Sequence, residues 1–352
     1  MTITRVNEPS SVNVFFGVFC DRGNTPSSGT TFVTPNTSLS ALAIGGGFHS
    51  GVVVTNSATS GCNLSLSGST INGNGRGAWV LGCGLWGISD APLVAAVIGD
   101  GTPNGGNTFT NIYGSQYDTQ DFGYGVNMFD CTQSLVIRGN TFSNAGMGVV
   151  ATNRATPFAA IVIDDNTFEA LETSGASFSH GVVINELSGN TFTNVDGFAE
   201  TAQGYPAIDA EPAALVLHDQ VSVLKARNNQ FLGNNTGVFI DGDALTAGGR
   251  TIDFGSADDS GNNIFRCNSG IENPYGFDVW VQLAGGSDPL PFAGNQWDHA
   301  PPTTGNSASS TDGTDVVDTS ATPLPQIVTA PFASASVACP PGKTTAYRGP
   351  LR

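Results

Sequence analysis

Lysine is almost missing from this chain. Only Lys225 and Lys343 occur in 352 residues, and 12 Lys and Arg face 29 Asp and Glu, for a formal net charge of −17. Nucleic acid needs a cationic surface, so it is excluded as an expected partner. Anionic membranes and anionic polysaccharides are repelled as well unless metal ions intervene. No apolar run approaches the roughly 18 residues that a membrane-spanning helix needs, so no membrane span is expected. The opening Met1-Thr-Ile-Thr-Arg-Val has no basic segment leading into an apolar one, so no secretory signal is legible there. There is no Cys-x-x-Cys, and His49, His180, His218 and His299 form no His-x-x-x-His pair. No transition-metal centre is therefore expected, and the histidines read as solvated or loop residues. Charged residues make up only 12%. Disorder does not follow, because 39% apolar content leaves enough Val, Ile, Leu and Phe to fill a core.

What the chain has in abundance is a repeated phrase, Asn-x-Phe among small and polar neighbours. Its copies are Asn107-Thr-Phe109, Asn140-Thr-Phe142, Asn166-Thr-Phe168, Asn190-Thr-Phe192, Asn229-Gln-Phe231 and Asn263-Ile-Phe265, with a Trp variant at Asn295-Gln-Trp297. The intervals between these asparagines are 33, 26, 24, 39, 34 and 32 residues. A self-similar unit at this spacing means stacked coils, the shortest being bare turns and the longer ones carrying inserted loops. On a strand, Phe enters the interior and the residue before it faces solvent. Asn suits the bend just before, because it tolerates unusual backbone angles and its amide can bond the backbone or an Asn one coil away. One coil cannot bury its own Phe, whereas stacking at about 4.8 Å per coil does. An antiparallel β-sandwich spaces its strands by about 8–12 residues without a repeated phrase, and is set aside.

This predicts an all-β chain, a right-handed parallel β-helix. Residues 1–45 form an N-terminal strand and cap, residues 46–298 the stack, and residues 299–352 a linker and an irregular C-terminal tail or cap. Of the six cysteines, Cys62 and Cys83 lie near one bare coil apart and can bridge, and Cys267 and Cys339 can fasten the tail. Buried free thiols are the alternative. An even cysteine count in a β-rich chain fits an oxidising, extracellular or cell-surface location.

The Gly-Asn-Thr-Phe coils, the segment Arg250-Thr-Ile-Asp-Phe-Gly-Ser-Ala-Asp-Asp-Ser-Gly-Asn-Asn-Ile-Phe265 and the closing Gly294-Asn-Gln-Trp297 resemble the right-handed β-helix domains of uncharacterised bacterial surface proteins. These belong to the pectin-lyase-like superfamily, and the resemblance covers about residues 60 to 298. It implies the fold and little chemistry, since that superfamily holds lyases, hydrolases, epimerases, tailspikes and adhesins.

Candidate sites follow from chemistry. A lyase needs a base and a cation, and Lys225 and Arg227, two apart, can both point outward from one strand. A glycosidase needs two converging carboxylates, and Asp118 and Asp121 sit between Tyr117 and Tyr124 in an inserted loop suited to stacking on sugars. Trp86 is a further stacking candidate. Calcium is the cofactor best matched to the sequence if there is one, because Asp241, Asp243, Asp258 and Asp259 concentrate oxygen ligands in Gly-rich loops. For each of these the plain alternative is a solvated face or a turn-stabilising side chain. The leading expectation is a structural or interaction module that associates with itself or a surface partner. The alternative is a polysaccharide-active enzyme or carbohydrate-binding module, signalled if Asp118, Asp121, Lys225 and Arg227 meet in one groove.

Overall fold

The computed structural model describes residues 2–3, 16–21, 36–45, 50–56, 63–73, 83–89, 95–102, 104–112, 123–129, 134–152, 160–195, 213–242, 251–268, 276–283, 289–306, 314–320 and 327–341. Every named element among them is a β-strand. Each of the six Asn-x-Phe copies supplies a three-residue strand whose first residue is half-buried and whose Phe is buried, as in Thr141–Ser143. The strand before it lies ahead of the Asn bend, and the strand after it follows the next turn. One coil thus reads Ser134–Arg138, Thr141–Ser143, Met147–Thr152, and the following coil repeats it as Ala160–Asp164, Thr167–Glu169, Ser174–Ser179. Like strands of successive coils pair in parallel, giving two 11-stranded sheets, one 8-stranded sheet and a short two-stranded one. This is a parallel β-helix.

Register follows the repeated phrase. Phe109 pairs with Phe142, Phe142 with Phe168, Phe168 with Phe192, Phe192 with Phe231 and Phe231 with Phe265. Their rings stack at 4.6–5.0 Å with interplanar angles of 4–7°, and Trp297 closes the column 4.7 Å from Phe265. Toward the N-terminus the same place is taken by Ile71, Ile44 and Ile3. Room for the rings comes from the facing sheet: a Cβ on Gly148 would lie 2.6 Å from Phe168 and 2.4 Å from the Gly175 carbonyl.

Beside the rings runs a column of amides. Asn140 donates its backbone N–H and one Nδ2 hydrogen to Oδ1 of Asn166, at 2.9 and 3.0 Å. Nδ2 also donates to the carbonyl of Ile98, at 2.8 Å. The pattern recurs from Asn107 through Asn263, each bonded to the asparagine one coil on. Ser69, which begins a degenerate copy, donates its N–H to Asn107 and so starts the column. All seven asparagines are at most 1% exposed. Satisfied on both sides, such a network is favourable; broken, it leaves buried donors without partners.

The ladders extend past both expected boundaries. Thr2–Ile3, Phe16–Asp21 and Asn36–Ser40 each pair with the strand one coil on. At the other end Val316–Asp318 and Phe332–Ser334 add rungs beyond residue 298. The physical reason is that a short apolar run needs only backbone pairing to join a sheet, with no Asn-x-Phe phrase. The tail then turns back along the side of the stack: Arg266 Nε donates to the Val337 carbonyl, and Cys339 forms a disulfide with Cys267. Cys62 lies outside the described residues.

Two substitutions test these columns. Asn166→Ala removes the acceptor of two Asn140 donors and the donor to the Ile137 carbonyl. With each orphaned buried group costing about 1–3 kcal/mol, chemical denaturation is expected to show a loss of about 3–5 kcal/mol. Gly148→Ala drives a methyl against Phe168 and a carbonyl, and is expected to lose about 1–3 kcal/mol, read as a lowered thermal midpoint.

Candidate functional site

Along the edge of the 8-stranded sheet, successive coils place Arg138, Asp164, Ser188 and Arg227 in one register row. Arg138 pairs with Asp164 at 2.8 Å and Ser188 Oγ donates to Asp164 at 2.7 Å. The row ends in a shallow polar depression of about 290 Å³ whose lining includes Glu186, Ser188, Lys225, Arg227, Asn228 and Asp259.

Lys225 and Arg227 do meet here, but they do not share an outward face. Lys225 is half-exposed, while the Arg227 side chain is 5% exposed. The strand is interrupted between Ser222–Val223 and Ala226–Arg227, so the guanidinium turns inward. It donates through Nη1 to the carbonyls of Ala226 and Asp253 and through Nη2 to Asp253 and Asp259, both at 3.0 Å. Burial opposes its charge, yet the bonds it donates to Asp253 and Asp259 outweigh burial and leave the guanidinium more basic than usual. Lys225 bonds the same Asp259 oxygen at 3.2 Å. Hydrogen bonds from Arg227, then Lys225, hold the Asp259 carboxyl below the ordinary carboxylate range. The depression therefore presents a lysine, an arginine and carboxylates that already neutralise one another.

Of the other candidates, Tyr117, Asp118, Asp121 and Asp243 lie outside the described residues. Tyr124 stands half-buried at the start of the strand Tyr124–Phe129, not in a loop. Trp86 lies in the strand Cys83–Ser89, paired with Val53 and Asn127. Asp241 bonds His218 Nδ1 at 2.5 Å, and Asp258 is exposed.

Two features escaped sequence reasoning. Three histidines are paired with aspartates from elsewhere in the stack: His180 with Asp219, His218 with Asp241 and His299 with Asp315. In the first two pairs the partners occupy equivalent places on successive coils, just past the register pairs Phe178–Leu217 and Leu217–Ile240, a signal visible only once the coils are aligned. The second feature is at the corner after the phenylalanine sheet, where Asp278, Asp298 and Asp315 each bring a carboxylate oxygen within 4.8 Å of the others. Among the described residues, this is the group of three or more metal-ligating side chains that converges. Asp278 is buried, and burial, followed by the charges of Asp298 and Asp315 and the close approach of the Asp315 carboxyl, raises its pKa well above the ordinary value against the pull of Asn268.

The stacked sheets, the amide column and the absence of any helix among the described residues define the class: a parallel β-helix solenoid. The chain belongs to the family described as protein of unknown function (DUF1565), which matches residues 23–304. No curated protein and no solved structure matches it. Among the described residues, no helix is long and apolar enough to cross a membrane.

The Asp259 contacts carry a pH signature. Its folded pKa is depressed, so its contribution is present above the unfolded value near 3.8 and is lost as pH falls through the folded one. Asp259→Asn is expected to flatten the acid limb of the stability profile below about pH 4. Urea midpoints measured across pH 2–6 check it, and an unchanged limb refutes the linkage.

Proposed function

We propose that this chain is a structural and interaction module displayed outside the cell, which associates with further copies of itself through the C-terminal end of its stack. The observation that carries this reading is the last rung. Phe332–Ser334 pairs with Asn295–Trp297 on one side, and no described strand pairs with its other side. Phe332 is 39% exposed and Val328, on the neighbouring end strand, 40%. An open sheet edge carrying apolar side chains is a template for another strand. The described tail runs back toward Cys267 and not across this rung. The Cys267–Cys339 disulfide supports an oxidising location. Kinship with the pectin-lyase-like superfamily is, on this reading, one of architecture.

A second reading rests on the depression at Glu186, Ser188 and Asn228, whose hydroxyl, amide and carboxylate groups suit a glycan. Catalysis there is less well supported, because Asp259 already engages both Lys225 and Arg227.

Sedimentation velocity over a concentration series tests the first reading. The wild-type chain is expected to form dimers or longer species at micromolar concentration, and Phe332→Lys with Val328→Lys to shift it to monomer at an unchanged thermal midpoint. A wild-type chain that stays monomeric at hundreds of micromolar sinks the proposal. If it instead binds uronate or neutral oligosaccharides, and Glu186→Gln abolishes that binding, the second reading replaces it.

A further inference from the structure

The corner that holds Asp278, Asp298 and Asp315 is built by the stack itself. Asn234, one coil earlier, accepts the Val195 N–H and donates to Asn268 Oδ1, with both bonds at 3.0 Å. Asn268 in turn donates Nδ2 to Asp278 Oδ1 at 2.7 Å. A short amide column thus ends on a carboxylate where an asparagine would be expected. Asp278 and Asp315 occupy equivalent places on consecutive coils, each immediately before a strand of the same sheet. Asp298 comes from the adjoining sheet, directly after Trp297.

Two of the three carboxylates are set in place by donors. Asp298 accepts from Arg266 Nη1 and from the Cys267 N–H, both at 2.7 Å. Asp315 accepts from the Thr303 N–H at 2.6 Å and the Thr303 hydroxyl at 2.7 Å, and bonds His299 Nδ1 at 3.0 Å. Asp278 differs: it is 2% exposed, and its second oxygen, Oδ2, has no hydrogen-bond partner. A buried carboxylate oxygen without a donor, beside two further carboxylates, is costly unless a positive group sits among them. Of the three carboxylates Arg266 engages only Asp298 and His299 only Asp315, so neither group reaches Asp278.

We propose that Asp278, Asp298 and Asp315 bind a hard divalent cation of the calcium class, which locks the last coils and the disulfide-bonded tail together. The converging atoms are carboxylate oxygens, with no thiolate among them, which favours calcium or magnesium over softer metals. Asp278 Oδ2 is the oxygen that hydrogen bonding leaves over for the ion. The ion would tie two successive places of one sheet to the sheet beside it, and Cys267, whose N–H holds Asp298, carries the disulfide to Cys339. This corner is separate from the Gly-rich loop of Asp258 and Asp259, where the sequence alone points for calcium.

Calorimetric titration of the chelator-stripped full chain with Ca²⁺ and with Mg²⁺, paired with thermal unfolding, tests the site. The wild type is expected to bind Ca²⁺ and to gain several degrees in midpoint, reversed by EDTA. Asp278→Asn keeps an acceptor for Asn268 and adds a donor toward Asp315. It is expected to fold with a midpoint at least equal to that of the stripped wild type and to weaken Ca²⁺ binding at least tenfold. Asp258→Asn, at an exposed position, is expected to leave both readouts unchanged. The proposal is overturned if neither ion binds or shifts the wild-type midpoint, which would leave a shared proton to balance the cluster. It is equally overturned if Asp278→Asn retains the wild-type response, which would place the ion elsewhere.

Discussion

From Asn107 to Asn263, each buried asparagine of the column is completed by the asparagine of the next coil, and the fold is the propagation of that requirement. An Asn side chain at the bend offers one acceptor oxygen and two donor hydrogens. In Asn166 the oxygen takes the N–H and Nδ2 of Asn140 in the coil before, and the nitrogen serves Asn190 in the coil after together with the Ile137 carbonyl one coil back. No single coil can satisfy this set alone, so local folding without stacking would leave several buried polar groups unpaired. The same bend sets the direction of the strand that follows, and so places Phe over Phe. The aromatic column is therefore positioned by the polar one.

A ladder of this kind has an end problem, and the C-terminal coils show how it is met. Asn295 has no asparagine beyond it and turns its Nδ2 to the carbonyls of Phe254 and Phe292. The phenylalanine sheet nevertheless continues one strand further, to Phe332–Ser334, without an amide to fix it. The other attachments concentrate at this point: the Arg266–Asp298 ion pair, the Cys267–Cys339 disulfide and the three-carboxylate corner. Where the repeated interaction runs out, single cross-links take its place.

The fold was legible because its signal is translational. Asn, Thr and Phe recur at coil spacing, and alternation along each short strand tells inside from outside without reference to the rest of the chain. The sites were not, because their partners are set by alignment between coils of unequal length. Lys225 and Arg227 look alike in sequence, but the break at Leu224 and Lys225 sends one side chain to solvent and the other inward to Asp253. His218 and Asp241 are unremarkable singly and become a pair only when the coil between them is closed. Asp278, Asp298 and Asp315 follow no motif; their convergence depends on two sheets meeting at one corner. The disulfide was the exception, since Cys267 directly follows a repeat strand and Cys339 lies in a tail with few other anchors.

Charge distribution decides how such a rod can meet its neighbours. With a net charge of −17, two copies repel, and the repulsion is felt over about 10 Å at 0.1 M salt. Side-by-side contact would bring many acidic side chains within that distance along the whole length. The last rung is different, because neither Ile327–Val328 nor Phe332–Ser334 contains a charged residue, and both expose apolar or small side chains with open backbone groups. End-on contact thus brings only a small part of the charge close while burying apolar surface and pairing an open edge. On the reading proposed above, the acidity would keep the flanks apart and leave the axis, along which the chain already stacks on itself, as the direction of association.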